Sequence, residues 1–509
     1  MHAIPPGSTV AVIGSGAMGA GIAQVAATAG HQVLLFDTRP DAADKAILEI
    51  GKTYAKLVEK GRMGAVESDL ARERLKRIAS LQEAAGAVLV IEAIVENLDA
   101  KRALFAELEG VVGRHCILAT NTSSISVTAI GAQLQHPERL VGMHFFNPVP
   151  LMALVEVISG LATSRDVANV VHAVAESWGK SPVHAKSTPG FIVNRVARPY
   201  YAEALRLLLE QAADVATLDA VMRDCGGFRM GPFELMDLIG HDVNFSVTNS
   251  VFAAYYNDPR FTPSILQQEL VSAGFLGRKT GRGFYRYGDD VPKPAPQTEA
   301  AGSKPSAVRY AGARGAVDAV AGRLRGAGLE PVAIEAAPGL YCEGAAIYLT
   351  DGRSATERAE ADGHRDTILF DLLLDPAGAT RIALARADQC GDAAWQAAAG
   401  LFQAAGFAVT RLDDVPGMAV MRTVAMLANE AADAVNQGVC SARAVDIAMQ
   451  KGVNYPRGPL TWADTIGLRQ VVTVLANLAA TYGEDRYRVS PLLRRKLAAD
   501  PQGARFHAQ

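Results

Sequence analysis

Two residues able to move a proton stand close together in the stretch MHFFNPVPLMALVEVISG, residues 143–160. His144 closes one apolar run, and Glu156 sits inside the next. Charged side chains rarely enter buried strands without a partner or a task. An imidazole titrates near neutrality and suits general-base work. A carboxylate on its second ring nitrogen would fix the tautomer and steady the imidazolium as it forms. A second constellation lies in VAVIGSGAMGAGIAQVAATAG, where Gly14, Gly16 and Gly19 follow an apolar strand and open a helix. The first glycine of such a G-x-G-x-x-G run permits a tight turn, and the second lets a pyrophosphate approach the backbone. The third lets helix and strand pack closely. The next apolar run ends in Asp37. A carboxylate there accepts both ribose hydroxyls and repels a 2′-phosphate, so NAD is favoured over NADP. Arg39 is the one nearby residue that could accommodate that phosphate.

These groups need a scaffold, and the chain supplies a pattern for one. Residues 8–186 alternate short Val/Ile/Leu runs with helical stretches, which reads as a parallel sheet with crossover helices, a Rossmann-type α/β domain. The strand candidates are TVAVIG, QVLLFD, AVLVIEAI, CILATN and LVGMHFF, with LVEVIS close behind. In an open parallel sheet, ligands gather at the carboxyl ends of the strands. Polar residues fall there: Glu96 and Lys101 after the third run, Asn121 to Ser124 after the fourth, His144 and Asn147 after the fifth. All should share the face of the glycine loop, with Asn147 a cofactor contact.

The chain has 509 residues, about half of them hydrophobic, too many for one core. Lys plus Arg is 50 against 53 acidic residues, so no basic field argues for nucleic acid. Five scattered cysteines without a C-x-x-C pair offer neither a disulfide framework nor a zinc site, and no metal is expected. No run reaches membrane-spanning length, and no signal core opens the chain, so a cytoplasmic protein is expected. The division expected is 1–186 Rossmann; 187–290 all-helical; 291–306 a Pro/Ala-rich linker; 307–412 a reduced Rossmann-like region without a nucleotide fingerprint; 413–509 a second copy of the helical domain. That copy shows as PGFIVNR (189–195) against PGMAVMR (416–422), and GPFELMDLIG (231–240) against GPLTWADTIG (458–467).

GSGAMGAGIAQVAA, EAIVEN, NTSS, HFFNPVPLMALVEVI, TPGFIVNR, GPFELMDLIG and GRKTGRGFYRY cover residues 8–288. Together they resemble the L-3-hydroxyacyl-CoA dehydrogenases, the NAD enzymes of acyl-CoA β-oxidation. The duplicated architecture resembles their long bacterial members, which act on 3-hydroxybutyryl-CoA or, in phenylacetate breakdown, on 3-hydroxyadipyl-CoA. The resemblance implies NAD-dependent oxidation of an (S)-3-hydroxyacyl-CoA to the 3-oxoacyl-CoA, with the His144–Glu156 pair as base. It implies Ser123 as donor to the substrate oxygen and Asn194 as a polar partner from FIVNR. It also implies Glu96, Lys101, Ser123 and Lys279 as NAD contacts, and Thr53 and Lys60 as CoA contacts. On blander readings Ser123 caps the following helix, Asn194 is a packing amide, and Glu96 with Lys101 is an exposed charge pair. KTYAKLVEKGRM would place Lys52, Lys56, Lys60 and Arg62 on one helix. Dehydrogenation of a free hydroxy acid or sugar acid, and an NAD-binding protein without turnover, are the alternatives.

The repeat puts Met421 where the first copy has Asn194. The second half is therefore expected to do no chemistry. In short members of the family two chains meet through their helical domains; the second copy should reproduce that contact within one chain and leave a surface for homo-oligomers.

Overall fold

The computed structural model describes residues 3–312 and 315–507. They form two compact bodies, the chain up to residue 195 with 437–454, and residues 196–436 with 455 onward.

The first body is built on β1 (Thr9–Ile13), β2 (Gln32–Phe36), β3 (Leu75–Arg77), β4 (Leu89–Glu92), β5 (Ile117–Thr120), β6 (Leu140–Phe145), β7 (Leu154–Ser159) and β8 (Ser181–Lys186). Their order is β3-β2-β1-β4-β5-β6-β7-β8. Every neighbouring pair is parallel except β6 and β7. Val10, Val12, Leu89, Ile91, Val141 and Val157 are fully buried, so helices cover both faces and the strands read as near-continuous apolar runs. β3 and β8 escape a reading based on apolar runs. LKR exposes two charges, and SPVHAK carries a proline, which is tolerated because β8 lies at the sheet edge. The Ala442–Gly452 helix packs on β7 and β8, and the Val439 carbonyl accepts from the Lys186 N–H at 2.9 Å.

The segment GFIVNRVARPYYAEALRLLLEQ, residues 190–211, is not one continuous helix. Phe191 has φ 46°, a single turn spans Val193–Val196, and a longer helix runs Arg198–Leu209.

In the second body the helices Arg198–Leu209, Pro232–Ile239, His241–Ala254 and Ile265–Ser272 precede a mixed sheet. Its strands are β9 (Arg309–Ala311), β10 (Val332–Ala333), β11 (Gly339–Cys342), β12 (Ala345–Leu349), β13 (Thr367–Phe370), β14 (Arg381–Arg386) and β15 (Ala408–Arg411). The helices Val420–Asn436, Pro459–Ile466, Leu468–Tyr482 and Pro491–Ala499 complete it.

The duplication starts earlier than its sequence anchors. β12 and β13 are parallel, β13 and β14 antiparallel, β14 and β15 parallel, which is the pattern of β5 to β8. β14 lies 227 residues beyond β7, and the helix Asp392–Ala404 lies 227 beyond Arg165–Ser177. Backbone specials repeat too: φ is 73° at Gly190 and 76° at Gly417, 46° at Phe191 and 54° at Met418, 97° at Gly240 and 94° at Gly467. The second sheet thus repeats the last four strands of the first, and the glycine-loop half has no counterpart among the described residues.

Residues 291–306 contain no helix or strand, as a linker should, but they are not a free tether. The Gln297 N–H reaches the Thr217 hydroxyl (2.9 Å), the Glu299 N–H the Val409 carbonyl (2.8 Å) and the Gly302 N–H the Gln403 side chain (2.7 Å). In the same body the Val420–Asn436 helix packs on Arg198–Leu209. Arg422 of the second copy meets Glu203 (2.7 Å) and Glu210 (2.9 Å) of the first, so the two copies do pack together.

Candidate active site

The glycine loop has the shape its sequence demands. Gly14 has φ 102°, and a Cβ there would sit 2.5 Å from the Ala93 carbonyl oxygen; at Gly19 it would sit 1.8 Å from the Gly14 carbonyl oxygen. Both glycines are required by the fold itself. Gly16 is different: a Cβ there would meet nothing within 4 Å. It caps the Ala17–Thr28 helix, whose first N–H groups suit an anion. That open approach beside a helix start is the cradle a pyrophosphate fills.

Asp37 follows β2 at the rim of a cavity of about 840 Å³ that also touches Gly14, Gly16 and Glu107. Its carboxylate accepts from the Ser15 N–H (2.8 Å) and hydroxyl (2.7 Å) and from the Arg39 guanidinium (3.0 Å). Arg39 beside it holds the carboxyl well below the usual range, against a smaller cost of burial. It stays an anion, as a ribose acceptor must.

His144 and Glu156 face each other directly in the antiparallel register of β6 and β7. Glu156 Oε2 lies 2.7 Å from His144 Nδ1, and both side chains are buried. The other carboxylate oxygen, Oε1, accepts the N–H groups of Ile192 and Val193, each at 3.0 Å. The carboxylate is thus anchored by backbone and cannot swing away from the imidazole. Phe146 and Phe191 lie against the His144 ring at 4.5 and 5.9 Å between centroids. With Nδ1 donating to Glu156, Nε2 is the nitrogen left with a lone pair. Asn194 follows on the Val193–Val196 turn, half-buried, its amide without a protein hydrogen-bond partner among the described residues.

The loop after β5 bonds to Glu96. That carboxylate accepts from the Thr122 hydroxyl (2.6 Å), the Ser123 N–H (3.0 Å) and the Ser124 N–H (3.1 Å). Burial pushes it up, but the Thr122 hydroxyl and the Lys101 cation outweigh this and leave it lowered. Ser123 does not cap the next helix: Ser126 does, accepting from the Ala129 N–H. Asn121 is also engaged, its side chain accepting from the Phe145 N–H at 2.9 Å, which ties the end of β5 to the end of β6. Asn147 is exposed just beyond β6.

Two placements differ from the sequence reading. Lys101 is not half of an exposed pair. It is buried, 2.6 Å from Glu92 and 3.3 Å from Glu96, and so braces Glu96 from beneath. Glu92 was missed, although a glutamate inside VLVIEAI carries the same signal as Glu156; it also accepts the Thr120 hydroxyl at 2.6 Å. The basic helix ends early: Ala42–Glu59 leaves Lys60 at its cap and Arg62 beyond it, because the chain turns through Gly61 at φ 64°. Thr53 and Lys60 are exposed, and Thr53 returns its hydroxyl to the Glu49 carbonyl. Lys279 belongs to the second body, where its ammonium meets both oxygens of Asp242 at 2.5 and 2.7 Å.

A glycine loop with a carboxylate at the end of the second strand and an anchored imidazole–carboxylate pair on the same sheet are the marks of a nicotinamide-dependent dehydrogenase. Sequence comparison narrows the class. The profile of the 3-hydroxyacyl-CoA dehydrogenase NAD binding domain matches residues 9–188, and that of its C-terminal domain matches twice, at 190–287 and 417–506. The profile of a 3-hydroxybutyryl-CoA dehydrogenase reduced Rossmann-fold domain matches 347–416. The chain is 44% identical to the 3-hydroxyadipyl-CoA dehydrogenase of Escherichia coli K12 over 96% of its length and 97% of the relative's. It is 43% identical to a probable 3-hydroxybutyryl-CoA dehydrogenase of Bacillus subtilis, over 55% of this chain and 96% of that one. A crystal structure of 3-hydroxybutyryl-CoA dehydrogenase from E. coli K12 superposes with a TM-score of 0.89 at 43% identity, covering 98% and 99% of the two chains. The chain belongs to the 3-hydroxyacyl-CoA dehydrogenase family and is an NAD-dependent oxidoreductase.

Proposed function

We propose that the chain oxidises (S)-3-hydroxyacyl-CoA, with His144 as general base and Glu156 as its orienter. The observation that carries this reading is the 2.7 Å contact between Nδ1 and a carboxylate pinned by two backbone amides. NAD, when bound, supplies the hydride acceptor. The protein must then take the hydroxyl proton, and His144 Nε2 is the group able to do so. Glu156 keeps the ring in the tautomer that leaves Nε2 basic and stabilises the imidazolium. Ser123 and Asn194 supply donors to the substrate oxygen, and the alcohol is thereby held toward the base. Gly16 admits the pyrophosphate, Asp37 takes the ribose hydroxyls, and Glu96, set by Lys101, borders the cofactor with Asn147. Thr53 and Lys60 on the exposed end of the Ala42–Glu59 helix meet CoA. The names of the relatives support a short acyl chain, 3-hydroxybutyryl or 3-hydroxyadipyl. The same reading assigns residues 1–186 and 187–290 to the working dehydrogenase and 307–509 to its packing partner.

His144→Ala should lower kcat by roughly 10²- to 10⁴-fold, the range for a lost acid–base group. NADH affinity measured by fluorescence should hold. Wild-type turnover in this variant refutes the assignment.

A further inference from the structure

In the second body the linker shows what a groove beside an edge strand can hold. Residues 297–300 run along β15, the last strand of its sheet. The Gln297 N–H and side-chain amide donate to Thr217 (2.9 Å) and Asp214 (2.8 Å), and its carbonyl accepts from Thr410 (2.9 Å). The Glu299 N–H donates to the Val409 carbonyl (2.8 Å), and the Glu299 carboxylate accepts from Trp395 (3.3 Å). The Ala300 carbonyl accepts from Gln403 at 2.8 Å.

The repeat of 227 residues carries these partners to Ala444, Ser441, Val183, Pro182, Ala168 and Glu176. All of them line one cavity of about 840 Å³ within the first body, beside its own last strand, β8. The two places share their backbone. The Lys186 N–H meets the Val439 carbonyl and the Asp413 N–H the Ala212 carbonyl, both at 2.9 Å, each residue 227 from its counterpart. The residues 227 before 297–300 are 70–73, which belong to the Ala65–Glu73 helix and pack on other helices. The groove beside β8 is therefore built by the fold and left open by the chain.

Its lining differs from its twin's in room and in charge. Ala168 replaces Trp395 and widens it. Lys186, Arg165 and Arg443 stand where the second copy has Asp413, Asp392 and Ala216, while His184 and Ser159 replace Arg411 and Arg386. Those three cations meet no carboxylate within 4.0 Å among the described residues. His184 stacks on His172 at 4.6 Å between centroids, and Glu176, 3.7 Å from His172, is the one carboxylate of the lining. Pro182 has no N–H, which discourages ordinary extension of the sheet. The contact at Val409 uses the carbonyl, however, and a proline keeps that.

We propose that this groove of the first body takes an extended, acidic segment of a partner polypeptide, laid along β8 as residues 297–300 lie along β15. Main-chain pairing holds such a strand, and side-chain charge selects it. The chain's own linker is engaged in the second body, so the segment belongs to another protein. The likeness ends at Ala300. Beyond it Ser303 crosses Gly400, where a Cβ would sit 2.0 Å from the Ser303 carbonyl oxygen, and the first copy has Ala173 there.

The probe is a fluorescein-labelled peptide of residues 294–301, PAPQTEAA, with Gln297, Thr298 and Ala300 all changed to Glu or all to Lys. Anisotropy with the full chain should show saturable binding of the acidic form, roughly tenfold or more tighter than the basic form, and the gap should narrow with salt. Arg165→Glu combined with Lys186→Glu should weaken the acidic form roughly tenfold, and Arg114→Glu, exposed elsewhere on the same body, should not. Methylating the peptide nitrogen at Glu299 should also cost roughly tenfold, because that N–H is the one the Pro182 carbonyl would accept. Turnover by the doubly reversed variant checks its folding; if it has none, Arg165→Gln and Lys186→Gln, tested singly, take its place. Equal binding of the acidic and basic forms, or unchanged acidic-peptide affinity in these variants, overturns the proposal. So does an N-methyl peptide that binds as well as its parent; if inorganic tripolyphosphate then displaces it, the groove is a small-anion site and not a strand site.

Discussion

Glu156 and Asp371 hold the same kind of backbone in the two halves of the molecule, from different strands. Glu156 stands on β7 and takes the N–H groups of Ile192 and Val193. Asp371 ends the run begun by β13 and takes those of Ala419, Val420 and Met421 at 3.0, 2.7 and 2.9 Å. Under the repeat of 227 residues, Ala419 and Val420 are the counterparts of Ile192 and Val193. Asp371 is the counterpart of His144, and Glu156 corresponds to Ala383. The second copy has moved the carboxylate to the imidazole's place and left alanine where the first copy has its carboxylate. A helix start needs a buried acceptor for its free amides in either copy. Only the first copy also places an imidazole against that acceptor. The anchoring and the orienting jobs of Glu156 are therefore separable, and the second copy retains only the first.

Glu156→Gln is the sharpest way to break this comparison. An amide can still accept from Ile192 and Val193 but cannot stabilise an imidazolium, so kcat should drop roughly 10²- to 10⁴-fold with little change in melting temperature. Asp371→Asn should leave kcat within about threefold, because it is not an acid–base group of the reaction. A loss as deep as that of Glu156→Gln would bring the second copy into the chemistry.

The next effect is on stability. Burial pushes Asp371 up to about 6 against the pull of the amides of Val420, Met421, Leu372 and Ala419. A carboxyl raised in the fold favours the folded state below its unfolded value of 3.8, and that gain is lost as pH rises through about 6. The stability difference between wild type and Asp371→Asn should therefore shift by about 2 kcal/mol in favour of wild type between pH 7 and pH 4. Chemical denaturation at the two pH values measures it, and a pH-independent difference contradicts the raised value. Smallest is the contrast inside the nucleotide loop. Gly16→Ala, with open space around it, should fold normally and weaken NADH by roughly tenfold through the displaced pyrophosphate. Gly19→Ala should lose stability instead; equal folding and equal NADH affinity in both would remove the distinction.

Much of the site was legible along the chain because its signals are local. Glycines at fixed spacing, a carboxylate closing the second strand, and a glutamate inside an apolar run each carry their reason within a few residues. The helical repeat was legible through the shared Pro-Gly and Gly-Pro pairs, which mark helix starts. The sheet repeat was not, since buried strands accept almost any apolar residue and so lose resemblance quickly. The burial of Lys101 was not legible for a related reason: its partner Glu92 lies nine residues away and meets it only once β4 and its following helix have packed.

Residue type and order alone determined the nucleotide loop, the choice of His144 and Glu156 as a pair, and the duplication of the helical segments, because each depends on backbone geometry or side-chain chemistry that neighbours in the chain dictate. Tertiary structure alone decided which carboxylate oxygen holds the imidazole and which holds the backbone. It also decided that Lys101 is a brace beneath Glu96. Those facts arise from desolvation and pairing across distant segments, and neither exists until the chain has closed around them.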